Sequence, residues 1–408
     1  MRKRVHQHVF WYCCLGIAFM LPVWGKLVPT IIVILILNWL ISGDYIRTIP
    51  VLFSEKNRRN TLLFSGLYVF YLLGLLYTSD YAYARFDLEV KLSLLVFPLV
   101  FSTADVGFLN SKHLRLLMHV YLAGCVIGSL ILFVHAFTLW RDGVQGAFYY
   151  MKLSWYFHSA YFAMYINFAM AFMVIELLRR FRILPAVLKT AYYLLLAWFF
   201  VFIFLLSSKM GLICMALIAV LGAAELIFRQ KKAFLGLGLI ILFMMFIRAG
   251  LHVFSGTSDR VMQSTGTLSG TPGQETSKST SDRIDIWKVS LEVIKSNVLT
   301  GVGTGDVKDV LIGKYKENKI EEALEFKLNA HNQYLQTFMT LGIFGITALL
   351  LMLFLPMVSA FRKHYLLYFV FTLLFAVNIL VESMFETQAG VVWYAFFNII
   401  LFSVNSEQ

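Results

Sequence analysis

Three residues of this sequence have the types and settings that transfer chemistry on a phosphorylated substrate needs. Lys209 stands in the very short turn Leu206-Ser207-Ser208-Lys209-Met210-Gly211 between two long apolar stretches, which pins a cation at a membrane boundary. Arg283 opens the best helical stretch of a long hydrophilic segment, running from Asp282 as cap to near Ser296. A guanidinium beside the free N–H groups of a helix start attracts phosphate. His331 sits in Asn329-Ala330-His331-Asn332-Gln333-Tyr334, where the chain re-enters an apolar stretch. The positive end of a helix dipole disfavours imidazolium there, and a neutral ring can take a proton at neutral pH, as a general base must. Each has a plainer alternative: Lys209 an interfacial anchor, Arg283 a solvated charge, His331 a histidine without chemistry.

Weaker signals surround these three. The glycine-rich turn Gly301-Val302-Gly303-Thr304-Gly305-Asp306 offers either an anion-cradling nest, through the amides of Gly303 and Gly305, or a plain bend. It closes a helix with no strand before it, so it is no dinucleotide fingerprint. His158, in Phe157-His158-Ser159-Ala160-Tyr161, is a sugar contact or a structural residue, and Glu382, Glu386 and Gln388 are candidates for orienting a cation or an acceptor. No Walker-type loop, no Asp-x-Asp pair and no Cys/His metal spacing occurs, so neither metal nor cofactor is expected. Group transfer here must then start from an activated substrate. Where ATP is lacking, a lipid diphosphate is the natural donor.

The elements that position these residues are membrane helices. Of 408 residues, 59% are hydrophobic and 14% charged, and the mean hydropathy is +0.74. Soluble domains carry about 25% charged residues, so the bilayer must be the solvent. Runs such as Ile31 to Leu37 and Ala191 to Leu206 show none of the alternation that a barrel strand needs. The expected architecture is therefore an all-α integral membrane protein of about twelve spans, near 9–25, 28–42, 61–78, 88–103, 114–139, 158–178, 190–207, 210–228, 233–250, 333–356, 365–381 and 388–403. Segment 88–103, with Lys91 near its start and Pro98 inside, is expected to be short or kinked. With this count every basic cluster, including Arg2/Lys3/Arg4, Arg179/Arg180/Arg182 and Arg362/Lys363, falls on one face, which makes both termini cytoplasmic. The net charge of +12 thus reports topology and not nucleic acid.

The layout that follows is nine spans over 1–250, a large outer loop over 251–332, and three spans with a cytoplasmic C-terminus over 333–408. Within the loop, Ser255 to Ser281 is rich in Ser, Thr and Gly and reads as mobile. Helices follow over about 282–296, with Ile284, Trp287, Leu291 and Ile294 on one face, then over about 306–316 and 319–326. The apolar N-terminal stretch reads as a retained first helix. Cys13, Cys14, Cys125 and Cys214 all lie in apolar segments and read as small buried hydrophobes. The span centres hold almost no ionisable residues, which argues against an ion-coupled transporter.

Four patches in order resemble the bacterial O-antigen ligase family. They are Ser207-Ser208-Lys209-Met210-Gly211; Arg283-Ile284-Asp285-Ile286-Trp287 leading to Gly301-Val302-Gly303-Thr304-Gly305; His331-Asn332-Gln333-Tyr334-Leu335-Gln336 followed by Gly342-Ile343-Phe344-Gly345; and Glu382-Ser383-Met384-Phe385-Glu386-Thr387-Gln388-Ala389-Gly390. The resemblance implies a type C glycosyltransferase-like fold in the inner membrane and a metal-independent, inverting reaction on the periplasmic face. Its donor would be a glycan on undecaprenyl diphosphate, its acceptor a sugar hydroxyl of lipid A-core. The family's diphosphate-binding positions fall on Lys209 and Arg283 and its general base on His331, with Gly303, Gly305 and Gln333 inside the same patches. The position of Lys209 is usually Arg in this family, and lysine supplies a point charge in place of a bidentate fork. A polysaccharide polymerase or a protein O-oligosaccharyltransferase with the same signature is the nearer alternative, and a flippase for lipid-linked sugars the further one.

Overall fold

Apolar runs in hydrocarbon have to satisfy their own N–H and C=O groups, and a helix does so within one segment. The computed structural model describes residues 2–43, 45–46, 55–269 and 278–406; every regular element among them is helical, and no strand occurs. Among the described residues, eight stretches are long and apolar enough to cross a membrane: Lys3–Ser42, Asn60–Tyr77, Ser111–Arg141, Ser159–Arg180, Ala186–Leu206, Lys209–Arg229, Ala233–Val253 and Gln333–Arg362. The first, 40 residues long, takes in two of the expected spans, with the turn Gly25–Leu27 between its helices Arg2–Trp24 and Val28–Ser42.

Three further expected spans correspond to shorter apolar helices, Ser93–Thr103, Leu366–Asn378 and Gln388–Val404. At 1.5 Å per residue the shortest reaches only about 17 Å, against a hydrocarbon core of about 30 Å. Segment 88–103 is not one helix. A polar helix, Tyr81–Lys91, capped by the Asp80 side chain on the Tyr83 amide at 3.0 Å, ends at Leu92, and the apolar Ser93–Thr103 starts there. The chain is an all-helical membrane protein; its packing forms two compact units that cut across chain order. One comprises Met1–Ile17, Lys26–Arg115 and Lys278–Gln408, the other Ala18–Gly25 and Leu116–Ser277.

The hydrophilic segment carries more helix than its composition suggests. Ser255–Ser269 is helical, where a mobile stretch was expected. Tertiary contacts override composition here: the Thr257 hydroxyl donates to the Phe204 carbonyl at 2.7 Å and meets the Tyr149 hydroxyl at 2.8 Å. Residues 270–277, also part of that expected mobile stretch, lie outside the described residues. The next helix is Lys278–Ser296, so Asp282 lies inside it and does not cap it. No Gly or Pro stands between 278 and 296 to stop the helix starting early. Its buried face is Ile286, Val289, Val293 and Ile294, packed with Val307, Leu311, Tyr315 and Met339; Trp287 packs at the edge and Leu291 is exposed. Two apolar stripes lie side by side on this helix, and the one richer in β-branched residues is the buried one.

Two glycines allow the backbone of this segment to meet the helix Gln333–Arg362. Gly342 (φ 62°, ψ −155°) interrupts that helix, and the Ile343 amide turns away to donate to the Val298 carbonyl at 2.8 Å. The carbonyls of Met339 and Thr340 accept instead from Val302 and Gly303, at 2.8 and 3.0 Å. A Cβ on Gly342 would stand 2.3 Å from the Leu299 oxygen, and one on Gly301 (φ 70°) 2.5 Å from the Leu341 nitrogen. Both neighbours are backbone and cannot step aside. Gly342→Ala is expected to destabilise the protein by at least about 2 kcal/mol, read as a lower melting midpoint in detergent. Gly238→Ala, at a site with open space around it, is the control expected to melt like wild type. Equal midpoints for the two variants would show that the kink does not depend on glycine.

Candidate functional site

The site is built around one carboxylate. The helix Leu366–Asn378 ends, the chain turns through Glu382 and Ser383 into the short turn Met384–Glu386, and the helix Gln388–Ser406 follows. Glu382 Oε1 accepts from Arg283 Nη2 at 2.6 Å, while Oε2 lies 3.3 Å from His331 Nδ1. Residues 99 and 51 positions away in sequence thus share the Glu382 side chain, itself only 9% exposed. Arg283 and His331 are more open, at 30% and 23%. An ionised carboxylate can only accept, so the contact favours the ring tautomer with its proton on Nδ1, in which Nε2 keeps its lone pair.

Local structure holds each partner in place. His331 adopts a left-handed conformation (φ 45°), unusual for a residue with a side chain. Its amide donates to Asn329 Oδ1 at 2.9 Å, which closes the turn. Asn332, and not His331, caps the helix Gln333–Arg362, accepting from the Leu335 amide at 3.1 Å. The Asn332 amide in turn donates to Ser383 Oγ at 3.1 Å, so the residues next to His331 and next to Glu382 are tied to each other. Trp287 Nε1 donates to the Ala330 carbonyl at 3.0 Å, and the Ala330 amide to Gln336 Oε1 at 3.1 Å. Arg283 lies past the first turn of Lys278–Ser296, so its guanidinium is placed by Glu382 and not by free N–H groups at a helix start.

The secondary candidates sort differently. The Gly303 amide donates to the Thr340 carbonyl at 3.0 Å and the Gly305 amide to Thr78 Oγ1 at 2.8 Å. With both N–H groups engaged by protein oxygens, the glycine-rich turn is a structural bend and not an anion nest. Asp306, just after it, accepts from the Ser79 amide at 2.9 and 2.8 Å and from the Asp80 amide at 2.8 Å. Burial pushes its carboxyl up, but the Asp80 and Ser79 amides outweigh that and hold it below the ordinary carboxylate range. Gln333 is fully buried; its Oε1 accepts from the Phe385 amide at 2.7 Å, and its Nε2 donates to Thr337 Oγ1 at 3.1 Å and Glu386 Oε1 at 3.4 Å. It braces the turn that carries Glu382.

Lys209 and His158 belong to the other compact unit. Lys209 is the first residue of Lys209–Ala224, after a cap in which Ser208 Oγ accepts from the Gly211 amide at 3.1 Å. The turn is tight because Ser207 takes a left-handed conformation (φ 51°), and Asn167 Nδ2 ties it by donating to the Gly211 carbonyl at 3.0 Å. Lys209 is half-buried there. His158 is exposed just before Ser159–Arg180, its ring edge-on to Tyr161 with centroids 5.8 Å apart.

One cluster was not foreseen from sequence. Lys91 is wholly buried, paired with Asp87 and, at 3.1 Å, with Glu386. The available signal was the i, i+4 spacing of Asp87 and Lys91, hidden because the stretch read as the start of a span. Among the described residues no group of three or more His, Cys, Asp and Glu could hold a metal ion, and the four cysteines are buried and form no disulfide.

A search of the curated proteins returns no match. Residues 194–350 match the family model described as O-antigen ligase. The matched stretch includes Lys209, Arg283 and His331, and it ends before Glu382. Residues 194–350 thus carry a domain of the O-antigen ligase family, which supports a multi-pass membrane enzyme of the ligase or polymerase type.

Proposed function

We propose that the protein transfers a glycan from undecaprenyl diphosphate to a sugar hydroxyl of lipid A-core, at the periplasmic face of the bacterial inner membrane. The observation that carries this reading is the shared Glu382 carboxylate, which joins a cation suited to a diphosphate with an imidazole whose Nε2 lone pair can accept a proton. The acceptor hydroxyl gives its proton to His331 Nε2 as its oxygen bonds to the anomeric carbon of the donor. The bond from that carbon to the diphosphate breaks, and the electron pair leaves with the undecaprenyl diphosphate. Attack opposite the leaving group inverts the anomeric centre, and the imidazolium returns its proton to water.

Charge grows on the leaving diphosphate, and cations placed beforehand stabilise it without an acid or a metal. A guanidinium has five N–H donors, and Glu382 engages it through Nη2, so Arg283 has the fork geometry to hold phosphate oxygen while it keeps that contact. Lys209 is proposed as a second diphosphate-binding cation on the strength of its motif. The polyprenyl tail stays in the bilayer.

The test is reconstitution of the full-length protein in nanodiscs with a polyprenyl-diphosphate-linked glycan and lipid A-core. The expected product is glycan joined to lipid A-core. A longer glycan still on the lipid carrier, formed with no need for acceptor, would identify a polymerase, and no covalent product at all would favour a flippase. In the same assay Lys209→Arg is expected to stay active, while Lys209→Ala loses about 10- to 100-fold in kcat/KM, the scale of a lost charge-assisted contact. An unimpaired Lys209→Ala would remove Lys209 from the site.

A further inference from the structure

Lys91 is an expensive residue to bury. Its ammonium lies among groups from three parts of the chain: Asp87 one turn earlier on Tyr81–Lys91, Glu386 Oε1 at 3.1 Å from the turn Met384–Glu386, and the Tyr71 ring at 4.7 Å from its centroid. Desolvating an ammonium and two carboxylates costs several kcal/mol per ion, and apolar side chains of similar volume would often hold such a junction at least as well. Stability alone therefore does not account for the cluster. A buried charge pair can instead fix geometry, because breaking it leaves an uncompensated charge.

The element so fixed is the turn that carries the central carboxylate of the site. Glu386 is held by Lys91 and by Gln333 Nε2 at 3.4 Å, and the intervening Phe385 amide donates to Gln333 Oε1 at 2.7 Å. At the other end of the turn, Ser383 Oγ accepts from the Asn332 amide at 3.1 Å. Glu382 is next to that tie and four residues before Glu386, and Arg283 and His331 meet its carboxylate.

We infer that Lys91, with Asp87 beside it, is a positioning residue for glycan transfer: by gripping Glu386 it locks the turn that sets Glu382 against His331 and Arg283. This rests on the proposed role of Glu382 in orienting the base. Lys91 itself touches no reacting atom.

The main variant is Glu386→Gln. It keeps the side-chain shape, can still accept from the ammonium, and leaves Lys91 one carboxylate, so it is expected to fold. Lys91→Met, which abolishes the grip, is the second variant. Both are made in full-length protein in nanodiscs, and three quantities are read: melting midpoint, hydrogen exchange of residues 380–387, and kcat with KM for the lipid-linked donor. Folded Glu386→Gln is expected to show faster exchange over 380–387 and a kcat about 10- to 100-fold lower, the scale of a misplacement near 1 Å, with donor KM nearly unchanged. Because the effect passes through Glu382, the same substitution in a Glu382→Gln background should cost no more than about threefold further.

Folded Glu386→Gln or Lys91→Met protein with wild-type kcat, beside an impaired Glu382→Gln, would overturn the inference alone. A loss that is fully additive with Glu382→Gln would overturn it as well, by showing that Lys91 and Glu386 act elsewhere. Wild-type kcat in Glu382→Gln would overturn the underlying reading and this inference together.

Discussion

Replacing His331 by alanine is expected to lower kcat for glycan transfer by about 10²- to 10⁴-fold, the range a positioned general base contributes. The side chain is 23% exposed and meets the Glu382 carboxylate, while the bond to Asn329 is made by the backbone amide and survives the substitution. Alanine can keep the turn, although the left-handed conformation (φ 45°) remains costly for it. The melting midpoint should therefore fall modestly while turnover collapses. Substrates should bind nearly as well, because the base is needed in the transition state more than in the ground state. Activity near that of wild type would show that the acceptor proton goes elsewhere.

Glu382→Gln is the second large effect. The amide keeps the shape of the carboxylate but removes its charge, and it can present an N–H₂ group to His331 Nδ1. A ring meeting a donor at Nδ1 must carry its proton on Nε2, which blocks the atom that has to accept from the hydroxyl. Loss of an orienting carboxylate beside a catalytic imidazole can cost up to about 10⁴-fold, so a fall of at least about 100-fold in kcat is expected. The same change removes the 2.6 Å partner of Arg283, whose guanidinium should then sample other positions. In a His331→Ala background Glu382→Gln should cost far less, since two residues that act as one unit are not additive. A Glu382→Gln enzyme within threefold of wild type would show that the carboxylate neither sets the tautomer nor places the guanidinium.

Helix and membrane were legible in the sequence because they depend on local runs. Periodicity locates helices well, and the hydrophilic helices Val307–Glu317 and Glu321–Glu325 lie close to where it puts them. What it cannot see are contacts made across the chain. Ser255–Ser269 looks too polar and glycine-rich to order itself, yet Thr257 anchors it to the end of Ala186–Leu206. Gly303 and Gly305 carry the composition of an anion nest, and only the positions of Thr340 and Thr78 reveal that their amides are already used.

The same limit applied at the site. Arg283 and His331 stood out by type, and Glu382 by its place in a motif, but their union depends on one helix and two turns folding against one another. Lys91 was read as a flaw in a hydrophobic segment, because its partner Glu386 lies 295 positions away. Ionic contacts at that range leave no periodic trace. An unexpected charge in an apolar region is still a usable sign, since burying one is too costly to be incidental.

The most direct measurement separates donor binding from transfer in two variants. Purified Arg283→Ala and His331→Ala are each titrated with a labelled polyprenyl-diphosphate-linked glycan in nanodiscs, and transfer to lipid A-core is followed in the same preparations. Arg283→Ala is predicted to bind the donor about 10- to 100-fold more weakly, the loss of a hydrogen-bonded charge contact to phosphate. His331→Ala is predicted to bind it as wild type does and to transfer almost nothing. Equal donor affinity in wild type and Arg283→Ala, or loss of donor binding in His331→Ala as deep as in Arg283→Ala, would contradict the division of labour assigned to these two side chains.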